Sequence, residues 1–207
     1  MVGPLIHRRA ANDFAPSMYY TFHNAVDPNN TLSSGQNQNT KGAVSMTTFG
    51  DRSSENWQLY YQQGRYFIRN YDYLGSMQLG LDEGSLVPKL MKRSGALAQQ
   101  WTMTRQSDGT FRFTNGMLGN DSALALVKGN TMPAMQPSGQ GTAWEILANP
   151  SALAPKDPSM LVDVTGFEYR VHPYHHLPPL PPPRHQPRPG RPSLDQSLLQ
   201  HRLQRML

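Results

Sequence analysis

The sequence predicts an all-β fold assembled from three copies of one unit, and three observations predict it. The only three tryptophans of the 207 residues, Trp57, Trp101 and Trp144, stand 44 and 43 residues apart. Each opens the same phrase, Trp-x-apolar: Trp57-Gln58-Leu59, Trp101-Thr102-Met103 and Trp144-Glu145-Ile146. A second phrase, aromatic-x-apolar-x-Asn, keeps the same beat. It occurs at Tyr20–Asn24, Tyr66–Asn70 and Phe111–Asn115, with the asparagines 46 and 45 residues apart. Two phrases in phase mark a repeated structural unit. Both alternate apolar and polar residues with period two, the pattern of a half-buried strand, and no long helical period appears between residues 18 and 148.

The elements follow in order. Tyr20-Thr21-Phe22-His23-Asn24 reads as the first strand and Asp27-Pro28-Asn29-Asn30 as a turn, with Ser33-Ser34-Gly35 as a second turn signal. Trp57 begins the strand that closes the first unit. In Tyr66-Phe67-Ile68-Arg69, Tyr66 and Ile68 are expected to point inward and Arg69 outward. Leu74-Gly75 and Leu118-Gly119 form a third marker that the first unit lacks, having Ala25-Val26-Asp27 there. Trp101 and Met103 share one strand face, with Thr102 and Thr104 on the other. Ser107-Asp108-Gly109 and Pro137-Ser138-Gly139 supply further turns. Asn24, Asn70 and Asn115 recur too regularly for one ligand site and are expected to satisfy backbone groups at an equivalent turn in each unit. Three units are too few for a propeller of ordinary size. Three copies closing around a pseudo-threefold axis make a β-trefoil.

Gln99-Gln100-Trp101 matches the Gln-x-Trp ending of the ricin-type lectin repeat in full. Glu55-Asn56-Trp57 is a near match, and Thr142-Ala143-Trp144 keeps the tryptophan. Residues 18–148 therefore resemble a divergent ricin B-like (R-type) lectin domain, similar to those of many fungal proteins. The resemblance implies that the tryptophans are core residues, which their shared face with an apolar residue two positions on also indicates. It also implies a sugar pocket built from an early aspartate and a later aromatic platform. The aspartate position falls on Ser33, Gly80 and Ala125, and the platform near Thr47 or Phe49, Leu90 and Met135, so the familiar galactose site is degraded in all three units. The first unit keeps the richest set, and Asp27, Asn30, Ser33 and Phe49 are the candidate carbohydrate-binding residues. Asp27 and Asn30 also suit a plain turn. In the second unit Tyr71, Asp72 and Tyr73 place aromatics beside an acid, a pattern that ordinary strand-edge packing also explains. The function implied is that of a non-catalytic, lectin-like module with shallow sites for glycans or glycoconjugates.

Charge and proline divide the chain. Residues 18–148 carry ten Lys/Arg against nine Asp/Glu, and twelve of the eighteen prolines follow residue 148. The net charge of +5 thus lies mostly outside the repeats, which gives no support for a nucleic-acid groove. The expected layout is an N-terminal arm at 1–17, the trefoil at 18–148, a proline-rich disordered linker at 149–192 and a short amphipathic helix at 193–207, opened by a capping-box-like Ser193-Leu194-Asp195-Gln196. Within the tail, Pro179-Leu180-Pro181-Pro182-Pro183-Arg184 fits an SH3-type ligand, so the alternative function is a protein-binding trefoil scaffold with a docking tail.

Enzyme chemistry finds little footing. His23 is the only histidine between 18 and 148, and no cysteine, Gly-x-Ser-x-Gly elbow or phosphate loop occurs. Neither a cofactor nor a metal is expected, because His172, His175 and His176 lie in a proline context that fixes no ligand geometry. The absence of cysteine fits a reducing compartment. No apolar run suits a secretory leader or a membrane span, so the expected location is cytoplasmic.

Overall fold

The computed structural model describes residues 13–35, 42–137, 139 and 141–170. Among the described residues twelve strands form: β1 (Tyr20–Asn24), β2 (Asp27–Ser33), β3 (Ser45–Thr48), β4 (Trp57–Gln62), β5 (Arg65–Asn70), β6 (Met77–Gly80), β7 (Lys89–Lys92), β8 (Trp101–Arg105), β9 (Phe111–Asn115), β10 (Ser122–Ala125), β11 (Ala134–Pro137) and β12 (Trp144–Ala148). β1, β4, β5, β8, β9 and β12 pair in a closed antiparallel ring, which leaves those six strands without a free edge. β2–β3, β6–β7 and β10–β11 are three hairpins at one end. Each unit is therefore two barrel strands joined by one hairpin, and the expected β-trefoil is the fold.

The two repeated phrases pair with each other. Within strand pairs Trp57 faces Asn70, Trp101 faces Asn115 and Trp144 faces Asn24. Across the remaining barrel seams Tyr20 faces Trp57, Tyr66 faces Trp101 and Phe111 faces Trp144. All three tryptophans are fully buried. A buried indole N–H needs an acceptor, and each finds the same one, the leucine carbonyl of its own unit's first hairpin strand. Trp57 Nε1 donates to Leu32 O at 2.8 Å, Trp101 Nε1 to Leu79 O at 2.9 Å and Trp144 Nε1 to Leu124 O at 2.9 Å. The tryptophans pin each hairpin to the barrel.

The asparagines act as expected. Oδ1 of Asn24, Asn70 and Asn115 accepts from the backbone N–H two residues on, at 3.0, 3.1 and 3.0 Å. Their Nδ2 groups donate to the carbonyls of Gly141, Ser54 and Ala98, each three residues before a tryptophan. The hairpins also close a ring among themselves: Leu90 N–H donates to Gly42 O, Met135 N–H to Leu86 O and Met46 N–H to Thr131 O.

The folded body extends past both expected boundaries. Phe14, assigned to an N-terminal arm, is 6% exposed. Its ring lies 5.2, 5.7 and 5.1 Å from those of Tyr20, Tyr66 and Phe111, the aromatic that opens the second phrase in each unit. One residue from outside the repeats thus contacts all three units where their symmetry brings equivalent rings together.

Residues 149–170, expected to be disordered linker, instead form a strap across the outside of β4 and β5. A single 3-10 turn spans Pro158–Leu161, and Met160 and Val164 are buried. The reason is a row of outward-facing polar side chains that bind the strap's backbone. Gln58 Nε2 donates to Met160 O at 3.0 Å, and Gln62 both donates to Val164 O and accepts from Val164 N–H. Arg69 does point out of the barrel, but the strap covers it completely. Its guanidinium donates to Met160 O at 2.5 Å, Val162 O at 3.2 Å and Gln78 Oε1 at 3.2 Å, and sits 4.2 Å from the Tyr60 ring centroid. Glycines at the Leu-Gly markers leave room for this segment: a Cβ on Gly75 would strike Ser159, and one on Gly119 would strike Arg170. The rest of the expected proline-rich linker, its SH3-type motif, the histidine cluster and the helix at 193–207 lie outside the described residues. No helix of the described residues is long and apolar enough to cross a membrane.

Candidate functional site

The first unit departs from its two partners on the outer side of β1 and β2. His23 pairs with Thr31 but Asn24 pairs with Asp27, so Pro28, Asn29 and Asn30 are extra residues that bulge from the ladder. The bulge carries Asp27 and Asn30 out of the barrel wall. Asn30 Nδ2 donates to Asp27 Oδ2 at 2.6 Å, which leaves Asp27 Oδ1 and Asn30 Oδ1 as acceptors on one half-exposed edge.

His23 holds the bulge from beneath. Its ring, 9% exposed, sits 3.1 Å through Nδ1 from the Asn30 carbonyl and 3.1 Å through Nε2 from Thr21 Oγ1. A carbonyl only accepts, which assigns the proton to Nδ1; in the neutral ring the Thr21 hydroxyl then donates to Nε2. The same imidazole meets the Phe49 ring edge-on at 5.5 Å. Phe49 follows β3, donates its N–H to Asn29 O at 3.3 Å, and is 48% exposed. Asp27, Asn30 and Phe49 therefore share one surface, joined by a histidine.

The loop bearing Phe49 is fixed by Glu55, the acid that stands where the second unit has Gln99. Glu55 is buried; its Oε2 accepts from the N–H groups of Gly50 and Arg52, each at 3.1 Å, and its Oε1 accepts from Thr47 Oγ1 at 3.5 Å. Gln99 ties its own loop differently, donating to Lys92 O and accepting from Ser94 N–H and Gln78. Asn149 adds a brace from the strap side, donating to Asp51 Oδ1 and Asn56 Oδ1, both at 2.9 Å.

Ser33 does not join this group. It lies at the far end of β2, is 3% exposed, and spends its hydroxyl on Ser54 Oγ at 3.0 Å. A ligand at Phe49 is out of its reach. Conversely, His23 and Glu55 position the candidate residues although the sequence did not single them out for that task. Their signals were present: the lone histidine among the repeats, and an acid at the first position of a Gln-x-Trp phrase. Beside the bulge, Val26 lines a depression of about 400 Å³ with Leu126, Val127 and Lys128 of the third unit. In the second unit Tyr71 packs against Tyr19 at 5.1 Å, and Asp72 N–H caps Asn70. Among the described residues no cluster of His, Cys, Asp and Glu is placed to hold a metal ion.

No family model matches the chain, and no curated protein matches it in sequence. Solved structures do match it. A mosquitocidal holotoxin aligns over 65% of this chain with 20% identity and a TM-score of 0.57, the match covering 18% of the toxin. A designed threefold-symmetric protein, ThreeFoil, aligns over 62% of this chain and 97% of its own length, with 17% identity and a TM-score of 0.52. The Macrolepiota procera ricin B-like lectin in complex with lactose aligns over 64% of this chain and 96% of its own length, with 12% identity and a TM-score of 0.53. What these proteins share with the chain is a fold, and the fold is the β-trefoil.

Proposed function

We propose that the chain is a non-catalytic carbohydrate-binding module whose working site lies in the first unit. Phe49 is the platform for the apolar face of a sugar ring, and Asp27 and Asn30 accept hydrogen bonds from its hydroxyls. The observation that carries this reading is the link Asp27–Asn30–His23–Phe49, which holds an exposed aromatic and a carboxylate on one surface. The fold adds support, since a ricin B-like lectin with the same architecture was solved with lactose.

The site is shallow, and a single such site binds in the millimolar range, about −4 kcal/mol. Useful affinity then comes from several contacts on one branched glycan. The reading is tested by a glycan array on the full chain followed by saturation-transfer NMR with the best ligand. Phe49→Ala and Asp27→Asn should each reduce the transfer signal. Binding to no glycan at high protein concentration counts against the reading.

A further inference from the structure

A second groove lies where the strap meets the trefoil, and the trefoil supplies only half of it. Tyr19, Tyr71 and Leu74 form one wall, and Leu153, Lys156 and Asp157 of the strap form the other, around a cavity of about 260 Å³. That is slightly below the range of drug-sized sites, about 300–1,000 Å³, and suits one ring rather than an extended chain.

One atom in it is anomalous. Tyr19 is 2% exposed, yet its hydroxyl has no hydrogen-bond partner among the described residues. A buried tyrosine hydroxyl usually finds a partner. Nor is this oxygen among the sealed, unpaired atoms, Ser34 Oγ and Gln58 Oε1, so the small exposure left to Tyr19 reaches its hydroxyl from the groove it lines. Burial, then the neighbouring Tyr71 and Asp157, push this hydroxyl up to about 12, which keeps it a proton donor at neutral pH. At the rim, the Asp157 carboxylate accepts from Ser159 N–H at 2.8 Å and from the Ser159 hydroxyl, and its remaining lone pairs can accept from a ligand.

We infer that this groove is a second ligand site, made by docking of the strap, for a single sugar ring that carries a small apolar substituent, an N-acetylhexosamine being the simplest. The ligand class rests on the carbohydrate reading above; its finer chemistry comes from the groove. The half-buried Tyr71 ring, held 5.1 Å from the buried Tyr19 ring and tilted by 55° to it, offers an aromatic surface to an apolar sugar face. Leu74 and Leu153, 42% and 63% exposed, suit an acetamido methyl group better than a hydroxyl. Lys156 disfavours a cation and Asp157 an anion, which leaves a neutral ligand. Tyr19, Lys156 and Asp157 supply one donor, one cationic donor and one acceptor for its polar atoms.

The test is an amide-shift NMR titration of the ¹⁵N-labelled full chain with N-acetylglucosamine, N-acetylgalactosamine, galactose and tetramethylammonium. The expected result is saturable shifts at Tyr71, Ala154 and Asp157 with an N-acetylated sugar, at least fivefold weaker with galactose. Tyr19→Phe, which removes only the unpaired hydroxyl and keeps the ring, should weaken that binding about fivefold to tenfold, and Phe49→Ala should leave it unchanged. Shifts confined to residues 27–49 would overturn this inference and leave the first-unit site standing. Shifts confined to the groove would uphold it and overturn the first-unit site. Shifts at neither place, or groove shifts driven by tetramethylammonium in place of sugar, overturn it.

Discussion

The ring of Phe14 packs 5.1 Å from that of Phe111, although the two stand 97 positions apart in the sequence. Phe111 opens the third unit; Phe14 precedes the first. The contact completes a set in which Tyr20 and Tyr66 close on the same ring. Phe14→Ala leaves a cavity bordered by all three units, and the expected cost is about 3–5 kcal/mol of unfolding free energy. Chemical denaturation of the full chain measures it. A loss below about 0.5 kcal/mol, the size of an ordinary surface substitution, contradicts the assignment of Phe14 to the core.

The strap gives a second prediction. At Gly95 a Cβ would run into the backbone of Gly166 and Phe167, so Gly95→Ala should lift this part of the strap without touching the barrel interior. The amides of Val164 and Glu168, bonded to Gln62 Oε1 at 2.8 Å and Gly95 O at 3.0 Å, should then exchange faster with solvent. Those of β8 and β9 should keep their protection. Equal protection of Val164 in both proteins contradicts the docked strap.

Alkaline titration supplies a third. Burial pushes the hydroxyls of Tyr19 and Tyr66 up from 10 to about 12, and Tyr60 shifts in the same direction. The folded state keeps these protons after an unfolded chain begins to release them. The stability linked to Tyr19 and Tyr66 is intact below pH 10 and is lost as pH rises from about 10 to about 12. Arg69 acts in the opposite sense, since burial and Arg93 lower it to about 10; a guanidinium under three acceptors stays charged at neutral pH. Of the nine tyrosines, at least two should resist ionisation near pH 10.5 in the phenolate absorbance and titrate on unfolding. Full ionisation of the native protein near pH 10.5 contradicts the burial of both rings.

Glu55 links stability to the site. Its carboxylate accepts from two loop N–H groups and a hydroxyl, and in Glu55→Gln one oxygen becomes an NH₂ that must face a donor or turn away. The expected cost is about 1–3 kcal/mol, together with weaker ligand binding at Phe49, which Glu55 itself does not touch. Unchanged binding in a destabilised Glu55→Gln variant separates the loop anchor from the site and contradicts their coupling.

The barrel was legible in the sequence because its signals are periodic: the tryptophans, the aromatic phrases and the asparagines each occupy the same place in three units. What the repeat does not predict are the departures from symmetry. Phe14 precedes any repeat, and the strap has no strand alternation. The polar side chains that grip the strap, Gln58, Tyr60 and Gln62, look like an ordinary solvent face when read as a strand. Asp27 and Asn30 stand out as candidates through their turn sequence, and Phe49, 19 residues after Asn30, through the platform position of the ricin-type resemblance. Ser33 stands at the aspartate position of the resemblance, but an alignment position carries no information about burial, and at the end of β2 its side chain is buried.

Sugar binding by the first unit is measured by isothermal titration of the best array glycan into the full chain and into Phe49→Ala. Measurable binding to the wild-type protein is expected, with an affinity about tenfold lower, about 1.4 kcal/mol, in the variant. Equal affinity in the two proteins, with both folded, would contradict it.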